Sequence, residues 1–155
     1  YIKGYLCKEL VRKKAINIHM GVSPYYRGSS CNFWAVYDKN PEMVGATIHF
    51  LSDGLDSGDI LFHVFPKSEK IDSFTLGMKS VSAAQDALIE KIVNGEILKM
   101  TSIKQNKQLE IRYSRHVDFN DEVAMNYLKN KLTNEEIYNS LINRDLSKFT
   151  NPVIK

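Results

Sequence analysis

The sequence predicts an α/β fold, because its composition is that of a soluble globular protein and its strand-like and helical segments alternate. The chain has 155 residues, of which 43% are hydrophobic and 25% are charged, enough to bury a sizeable core. Strand-like runs cover residues 15–19, 44–51 and 60–65. A strand, crossover, strand and helix in this order is typical of an α/β layer with a partly parallel sheet.

Helices are predicted from the spacing of apolar residues. Apolar side chains recur every three to four positions over residues 2–13, which predicts an amphipathic helix, and residues 31–37 form a short helix candidate. The longest predicted helix runs over residues 74–93 and stops at Asn94-Gly95, a pair that commonly ends helices. These segments supply the helical half of the predicted fold.

The character of the chain changes after Gly95. Residues 99–115 lean towards β structure, and two short helices follow, one capped near Asn120 and one opened by a capping box of Thr133 and Glu136. The end of the chain, "SKFTNPVIK", is predicted to be a loose tail. We therefore predict a core over residues 1–97 and a strand with a helical appendage over residues 98–155.

Charge and cysteine content bound the class of protein and its compartment. The formal net charge is +3, from 21 basic and 18 acidic residues that are scattered along the chain, which does not indicate a nucleic-acid binder. Cys7 and Cys31 form no disulfide framework, so a reducing cytoplasm is the simplest expectation. No apolar run approaches the roughly 20 residues that span a bilayer. The chain starts with Tyr1 and runs straight into predicted structure, so we expect a piece of a longer protein.

Two polar side chains end the first predicted strand. Asn17 and His19 are two residues apart, so they project from the same face of a strand. Ligand crevices of open α/β sheets lie at the carboxyl ends of strands. An amide beside an imidazole suits the stabilisation of an oxyanion and the transfer of a proton in acyl transfer. The ordinary alternative is that Asn17 caps the strand end and His19 is a satisfied interior histidine.

The acidic loop, "SDGLDSGDI" at residues 52–60, combines glycines that permit close backbone approach with three carboxylates. The glycines and aspartates are Gly54, Gly58, Asp53, Asp56 and Asp59. Their spacing does not match a calcium-binding EF-hand loop. A solvated acidic turn is the alternative.

The loop over residues 23–28 combines residues that bend the chain with one that binds anions. Pro24 fixes a turn, Gly28 permits another, and Arg27 offers a fork for a carboxylate or phosphate. Surface arginines are common, so this loop alone does not establish a site.

The other histidines stand at no metal-ligand spacing, and no metal site is predicted. We interpret His49, His63 and His116 as structural or surface residues. His49 is close enough in sequence to the acidic loop to pair with one of its carboxylates.

Taken together, "INIHMGVSPYYRG", "VGATIHFLSDGLDSGDIL" and their separation resemble the core of the folate-dependent formyltransferases, a group that includes methionyl-tRNA formyltransferase, glycinamide ribonucleotide transformylase and sugar N-formyltransferases. In that family an N-x-H motif at a strand end precedes a loop that reaches Pro and Y-R-G, and an Asp follows in an L-D-x-G loop. The resemblance covers residues 2–95. It implies a partial doubly wound, Rossmann-like core whose first half is absent from the chain, so the exposed sheet edge would need a missing N-terminal half or a homo-oligomer.

The resemblance also implies roles for individual residues. The family's catalytic trio matches Asn17, His19 and Asp56. Residues implied to bind the folate are Asp53, Gly54, Leu55, Ser57 and Gly58. Residues implied to border the acceptor are Ser23, Pro24, Tyr26, Arg27 and Gly28.

The implied reaction transfers a formyl group from N10-formyltetrahydrofolate to a small-molecule amine, with no metal and no membrane involved. A protonated His19 and Asn17 would stabilise the oxyanion, and Asp56 would orient His19. The segment "HMGVSP" departs from the family's usual loop, and residues 32–34 resemble an element of sugar-modifying members, so a nucleotide-linked amino sugar is the preferred acceptor. The alternatives are a formyltetrahydrofolate hydrolase, a non-catalytic binding module and, less favoured for want of a basic, aromatic surface, a tRNA-directed enzyme.

Overall fold

A computed structural model describes residues 2–155 of the chain. The fold alternates short strands with helices along the sequence. In chain order the elements are α1 (Gly4–Arg12), β1 (Ile16–His19), β2 (Tyr26–Gly28), α2 (Cys31–Tyr37), β3 (Ala46–Phe50), β4 (Ile60–Phe65), α3 (Ser73–Val93), β5 (Arg112–Ser114), α4 (Asp121–Asn130), α5 (Asn134–Ile142) and β6 (Val153–Ile154).

The main sheet has the strand order β1-β3-β4-β6. Strand β3 pairs antiparallel with both β1 and β4, whereas β4 pairs parallel with β6. A second, two-stranded sheet pairs β2 with β5 in parallel. The predicted α/β class is confirmed, with parallel pairing confined to these two places in the described chain.

Two clusters of buried side chains form the core. One lies between α3 and the main sheet, and its buried members are Ile48, Leu61, Phe62, Val64, Ala83 and Ala87. The other joins α2 and α5 to the chain's last residues, and its largest members are Tyr26, Trp34, Phe65, Leu76, Ile137, Leu141 and Phe149. Because the second cluster draws on both halves of the sequence, the segment after Gly95 packs as part of one body. The boundary after residue 97 stays a prediction.

The long helix α3 is confirmed, but the apolar stripe that predicted it, at Phe74, Met78, Val81, Ala84, Leu88 and Ile92, is only partly buried. Asp72 caps it by accepting hydrogen bonds from the Phe74 and Thr75 amides at 2.9 and 3.0 Å. Of the stripe residues, Phe74 and Met78 are 76% and 54% exposed, whereas Ala84 is buried. The buried face is made mostly of small residues, which let a helix approach a sheet closely; its members are Leu76, Ser80, Ala83, Ala84 and Ala87.

The predicted loose tail is wrong. Phe149 is buried in the core, and β6 extends the main sheet. Backbone bonds join His63 N to Thr150 O at 2.9 Å and Lys155 N to Phe65 O at 3.0 Å. The segment was misjudged because a strand of two residues has no readable periodicity and depends on partners that are distant in sequence.

The short helices follow their capping signals. Asn120 caps α4, and Thr133 forms the predicted capping box with Glu136 at the start of α5. The first helix is shorter than predicted, and it exposes Tyr5 and Leu6 while it buries Cys7. Its apolar stripe therefore lies mainly at the surface.

Among residues 2–155, no helix has both the length and the apolar character needed to cross a membrane.

Candidate active site

The end of β1 and the acidic loop bring two of the predicted catalytic residues together. His19 Nδ1 lies 3.4 Å from Asp56 Oδ2, and the two side chains are only 6% and 12% exposed. Asn17 precedes His19 by two residues on β1, as the strand alternation predicts. The expectation that residues 19 and 56 converge is met by this contact.

The second nitrogen of His19 is also engaged. Nε2 lies 3.1 Å from the Tyr26 carbonyl oxygen, and since a carbonyl only accepts, Nε2 carries a proton. Burial lowers the pKa of His19 below its ordinary value, and the carboxylate of Asp56 and the Tyr26 carbonyl oppose that effect. The lowered pKa favours the neutral ring near pH 7. The unprotonated Nδ1 and an ionised Asp56 are then both acceptors, so a proton on either group is what bonds them to each other. The prediction of a protonated His19 concerns the tetrahedral intermediate and stays a prediction.

Asn17 contacts His49, which was predicted to be a structural or surface residue. Asn17 Nδ2 lies 3.1 Å from His49 Nε2, and His49 Nδ1 donates to the Phe50 carbonyl oxygen at 2.7 Å. The expected pairing of His49 with a carboxylate of the acidic loop is therefore wrong, because both ring nitrogens have other partners. The signal that was missed is the antiparallel register, which places residues 17 and 49 opposite each other.

The acidic loop is held against the sheet by its backbone. Gly58 is buried so closely against β3 that an added Cβ would lie 1.7 Å from the Phe50 carbonyl oxygen, so only glycine fits. Asp56 adopts a left-handed conformation, with φ of 46°. Ser57 is hydrogen-bonded to Ser52 at 3.0 Å across the loop. The loop is thus a built feature of the fold, in contrast to the solvated turn considered as an alternative.

A first pocket, of about 330 Å³, opens beside the trio. Its polar wall includes Asn17, His49 and Asp56, and the acidic loop supplies Asp53, Gly54 and Leu55. Three of the residues implied to bind folate therefore line a pocket. The other two, Ser57 and Gly58, serve the loop's internal bonding and its packing on β3.

A second pocket, of about 600 Å³, lies between α2 and α3. His19 and Met20 border it at one end, and its walls are largely apolar. Other residues that line it include Gly28, Phe33, Phe74, Met78, Val81 and Tyr127. Phe74 and Met78, two of the exposed apolar residues of α3, therefore line a concave surface.

The departure "HMGVSP" has a steric reason in the structure. A Cβ on Gly21 would lie 2.6 Å from His19 Nε2 and 2.5 Å from the Cβ of Cys31. A larger residue at this position would displace the His19 ring, so the loop of this chain needs glycine there.

The loop over residues 23–28 lies mostly beneath the surface. Ser23, Pro24 and Tyr26 are buried, and the Asn40 amide donates to the Tyr26 hydroxyl at 2.8 Å. These three side chains are not accessible to an acceptor substrate in this structure. Their contacts with an acceptor substrate stay predictions. Arg27 binds Glu110 at 2.9 Å and the Leu55 carbonyl oxygen at 2.8 Å, while Gly28 lines the second pocket.

The remaining histidines have the structural and surface roles expected of them. His63 Nε2 donates to the Ser23 carbonyl oxygen at 2.7 Å, and Nδ1 accepts from the Thr150 amide at 2.9 Å. His116 is exposed. Over residues 2–155, no group of three or more His, Cys, Asp or Glu side chains could hold a metal ion.

A model of the formyl transferase family matches residues 5–92, which is more than half of the chain. The chain belongs to the formyl transferase family. The matched residues contain Asn17, His19 and Asp56, the acidic loop, β1, and the strands β3 and β4 on either side of that loop. The family resemblance noted from the two sequence motifs is therefore confirmed.

Individual members of the formyl transferase family agree with this placement. A methionyl-tRNA formyltransferase of Natranaerobius thermophilus is 33% identical over 133 residues, which are 84% of this chain and 41% of the relative. The chain thus spans about two fifths of the length of that curated relative.

Solved formyltransferases share the fold. The formyltransferase PseJ from Anoxybacillus kamchatkensis is 22% identical with a TM-score of 0.67, and the match covers 91% of this chain and 73% of PseJ. A sugar N-formyltransferase from Shewanella sp FDAARGOS_354 is 27% identical with a TM-score of 0.55, over 67% of this chain and 41% of that chain. Within the formyl transferase family, the architecture described above is therefore found in solved structures.

Proposed function

We propose that this chain carries the catalytic site of an enzyme that transfers a formyl group from N10-formyltetrahydrofolate to an amine. The observation that supports this proposal most directly is the contact of His19 with Asp56 at 3.4 Å. Asn17 lies two residues before His19 on the same strand, β1. Asn17 and Asp56 line the first pocket, whereas His19 borders the second. The trio is thus accessible from two sides, as a transfer between two bound molecules requires.

The first pocket suits the formyl donor. Its size is within the range of small-molecule sites, and the exposed carboxylate of Asp53 could accept hydrogen bonds from the amino and ring N–H groups of a pterin. Leu51 and Leu55 offer apolar contact for the flat ring. The tetrahydrofolate of the PseJ crystal structure supports a donor of this class in the fold. When bound, the donor supplies the formyl carbon and a nitrogen leaving group.

Asn17 is placed to stabilise the oxyanion. One N–H of its amide is held by His49 Nε2 at 3.1 Å, which leaves the second N–H for an oxygen in the pocket. A preorganised donor aimed at developing negative charge is commonly the largest single contribution to catalysis of acyl transfer.

Asp56 and the neutral His19 are placed to move the proton. The acceptor nitrogen forms a bond to the formyl carbon, and its proton passes to Asp56, which shares it with His19 Nδ1 3.4 Å away. The bond from the formyl carbon to the leaving nitrogen then breaks, and the proton is delivered to that nitrogen. While the proton is on His19 Nδ1, before its delivery, the ring is an imidazolium ion, and the Asp56 carboxylate stabilises that charge.

The preferred acceptor is a nucleotide-linked amino sugar. The second pocket reaches His19 and offers about 600 Å³, and Phe33 from the sugar-type element lies in its wall. The related Shewanella enzyme is a sugar N-formyltransferase, and PseJ was crystallised with a UDP-linked formamido sugar. The methionyl-tRNA formyltransferase relative, at 33% identity, makes a charged tRNA the second candidate.

The test is release of tetrahydrofolate from N10-formyltetrahydrofolate, followed by absorbance, with the protein in its full natural length. It is run without an amine, with a panel of nucleotide-linked amino sugars, and with methionyl-tRNA. We expect turnover that requires an amino sugar and that falls by about 10²-fold or more in Asp56→Asn, because the proton acceptor is lost.

Asp59→Asn is the matched control, since Asp59 is an exposed acid of the same loop and lies outside the trio. Its turnover should equal that of the wild type. Turnover without an amine would replace the proposal with a hydrolase, and turnover only with tRNA would select the second acceptor. Absence of turnover with every acceptor would leave the binding-module alternative.

A further inference from the structure

Gln105 reaches the acidic loop from the segment between α3 and β5. Its Nε2 donates to the Asp56 carbonyl oxygen at 2.9 Å and to the Gly58 carbonyl oxygen at 2.8 Å. Gln105 is half-buried, whereas its neighbours Lys104 and Asn106 are exposed. Both N–H groups of this one amide are thus directed at the backbone that carries Asp56.

The position of Gln105 is set by a β-bridge. Ile103 pairs with Ile60 at the start of β4, where the acidic loop ends. Each amide of the pair donates to the other residue's carbonyl oxygen at 2.8 Å. This reciprocal bonding fixes the chain two residues before Gln105 and brings its side chain to the loop.

The acidic loop needs support from outside because its own conformation is unfavourable. Asp56 has φ of 46°, a left-handed conformation that residues with a Cβ adopt at a cost, although Asp tolerates it better than most. Such a residue persists only where its surroundings hold it. The hydrogen bonds within the loop, such as that from Ser52 to Ser57, do not involve the Asp56 carbonyl oxygen.

A second side chain holds the neighbouring peptide. Arg27 Nη2 donates to the Leu55 carbonyl oxygen at 2.8 Å. Arg27 and Gln105 together bind the carbonyl oxygens at positions 55, 56 and 58. Gly58 also packs against Phe50 of β3. The loop is therefore held by the sheet and by two side chains that are distant in sequence.

We propose that Gln105 is a positioning residue of the transfer site, whose amide holds the Asp56 backbone so that the carboxylate faces His19. The catalytic consequence rests on the proposed function, whereas the effect on the loop does not. Gln105 lies beyond the residues matched by the family model, so the segment after the matched region contributes to the site.

The first readout is the kinetics of Gln105→Ala in the full-length protein. We expect kcat to fall by about tenfold to hundredfold, because a small displacement of a catalytic group costs rate of this order. Gln108→Ala, an exposed glutamine in the same segment, should retain the wild-type kcat.

The pH profile separates positioning from a general loss of stability. The charged or titratable groups near His19 are Asp56, Arg27, His49 and Cys31. Asp56 raises the pKa of His19, so a carboxylate that moves away allows this pKa to fall further. The acid limb of kcat/KM should therefore move to lower pH in Gln105→Ala and stay in place in Gln108→Ala.

The second readout is hydrogen exchange, which does not depend on activity. In Gln105→Ala, amides of residues 53–58 should exchange at least tenfold faster than in the wild type, with exchange in α3 unchanged. Wild-type kinetics together with wild-type exchange in Gln105→Ala would overturn the proposal. If the wild-type protein transfers no formyl group while the exchange increases as expected, the proposed function fails and the role of Gln105 in holding the loop stands.

Discussion

Asn17 and His49 face each other across β1 and β3, with Nδ2 of the amide 3.1 Å from Nε2 of the imidazole. His49 Nδ1 donates to the Phe50 carbonyl oxygen, so Nε2 must accept. The nitrogen of the Asn17 amide, and not its oxygen, therefore faces the ring. This relationship sets the rotation of the group proposed to bind the oxyanion.

Removing the His49 nitrogen that accepts the hydrogen bond from Asn17 should slow catalysis even though Asn17 itself is retained. In His49→Phe the ring is retained but the amide is free to rotate, so we expect kcat to fall by about tenfold to hundredfold. Asn17→Ala should lower kcat by about 10²–10³-fold, the usual cost of one oxyanion donor. Steady-state kinetics of the two variants, with thermal unfolding as a check on folding, provide the measurement.

The double variant tests whether the two residues act together. If His49 acts through Asn17, adding His49→Phe to Asn17→Ala should cause little further loss of kcat. Independent, additive losses would instead show that His49 has a separate role.

Burial of His63 should make the protein sensitive to acid. Burial lowers the pKa of His63 from 6.5 to about 4, against the hydrogen bonds to Ser23 and Thr150. The unfolded chain therefore binds a proton at a higher pH than the folded chain does. The stabilisation is present above pH 6.5 and is lost as the pH falls towards 4, by up to about 3 kcal/mol.

Denaturant unfolding between pH 7 and pH 4 measures this loss. His63→Gln should be less stable at pH 7, and its free energy of unfolding should fall less steeply as the pH is lowered. The difference in slope should correspond to about one proton fewer taken up on unfolding. His19 and His49, whose pKa values are also lowered, remain in both proteins. His116→Gln, which removes an exposed histidine, is the control for the loss of an imidazole. An unchanged slope in His63→Gln would contradict the assignment.

Features with local signals were predictable from the sequence. The bounds of α2 agree with the predicted residues 31–37, and Thr133 with Glu136 marks the start of α5 as predicted. Strand alternation placed Asn17 and His19 on one face. Each of these depends on residues within about one helical turn, where sequence pattern and structure are directly linked.

Features that depend on distant partners were not predictable. Gln105 bonds to Asp56 and Gly58, which are 49 and 47 positions earlier in the sequence. No sequence motif marks a glutamine for that role. The role of His49 required the register of β1 with β3. The buried face of α3 was predicted only in part, because most of its buried side chains are small and carry little hydrophobic signal: Ser80, Ala83, Ala84 and Ala87.

Glycine at position 28 is required where β2 meets β5. Gly28 has φ of 93°, and a Cβ there would lie 1.9 Å from the Ser114 carbonyl oxygen. Gly28→Ala must therefore separate the two strands, and we expect it to lower the free energy of unfolding by about 1–3 kcal/mol. Gly77→Ala is the matched control, because nothing lies within 4 Å of a Cβ built there, and inside α3, in its second turn, it should stabilise by about 0.5–1 kcal/mol. Equal effects from the two variants would refute this argument.

Phe149 should anchor the end of the chain to the core. Its ring centroid lies 4.6 Å from that of Phe65, 5.7 Å from that of His63 and 5.8 Å from that of Tyr25. Phe149→Ala leaves a cavity among these rings, so we expect a loss of about 3–5 kcal/mol in the free energy of unfolding.

The position of Phe149 also predicts which part of the fold responds. Because the Thr150 carbonyl oxygen accepts from the His63 amide, loosening of this segment in Phe149→Ala should speed hydrogen exchange in β4 as well as in β6. Leu98→Ala is the control, since Leu98 is 88% exposed and its removal should change the free energy of unfolding by no more than about 0.5 kcal/mol. A loss as small as the control's in Phe149→Ala would mean that the end of the chain is a loose tail after all, and β4 would then have to be stable without β6.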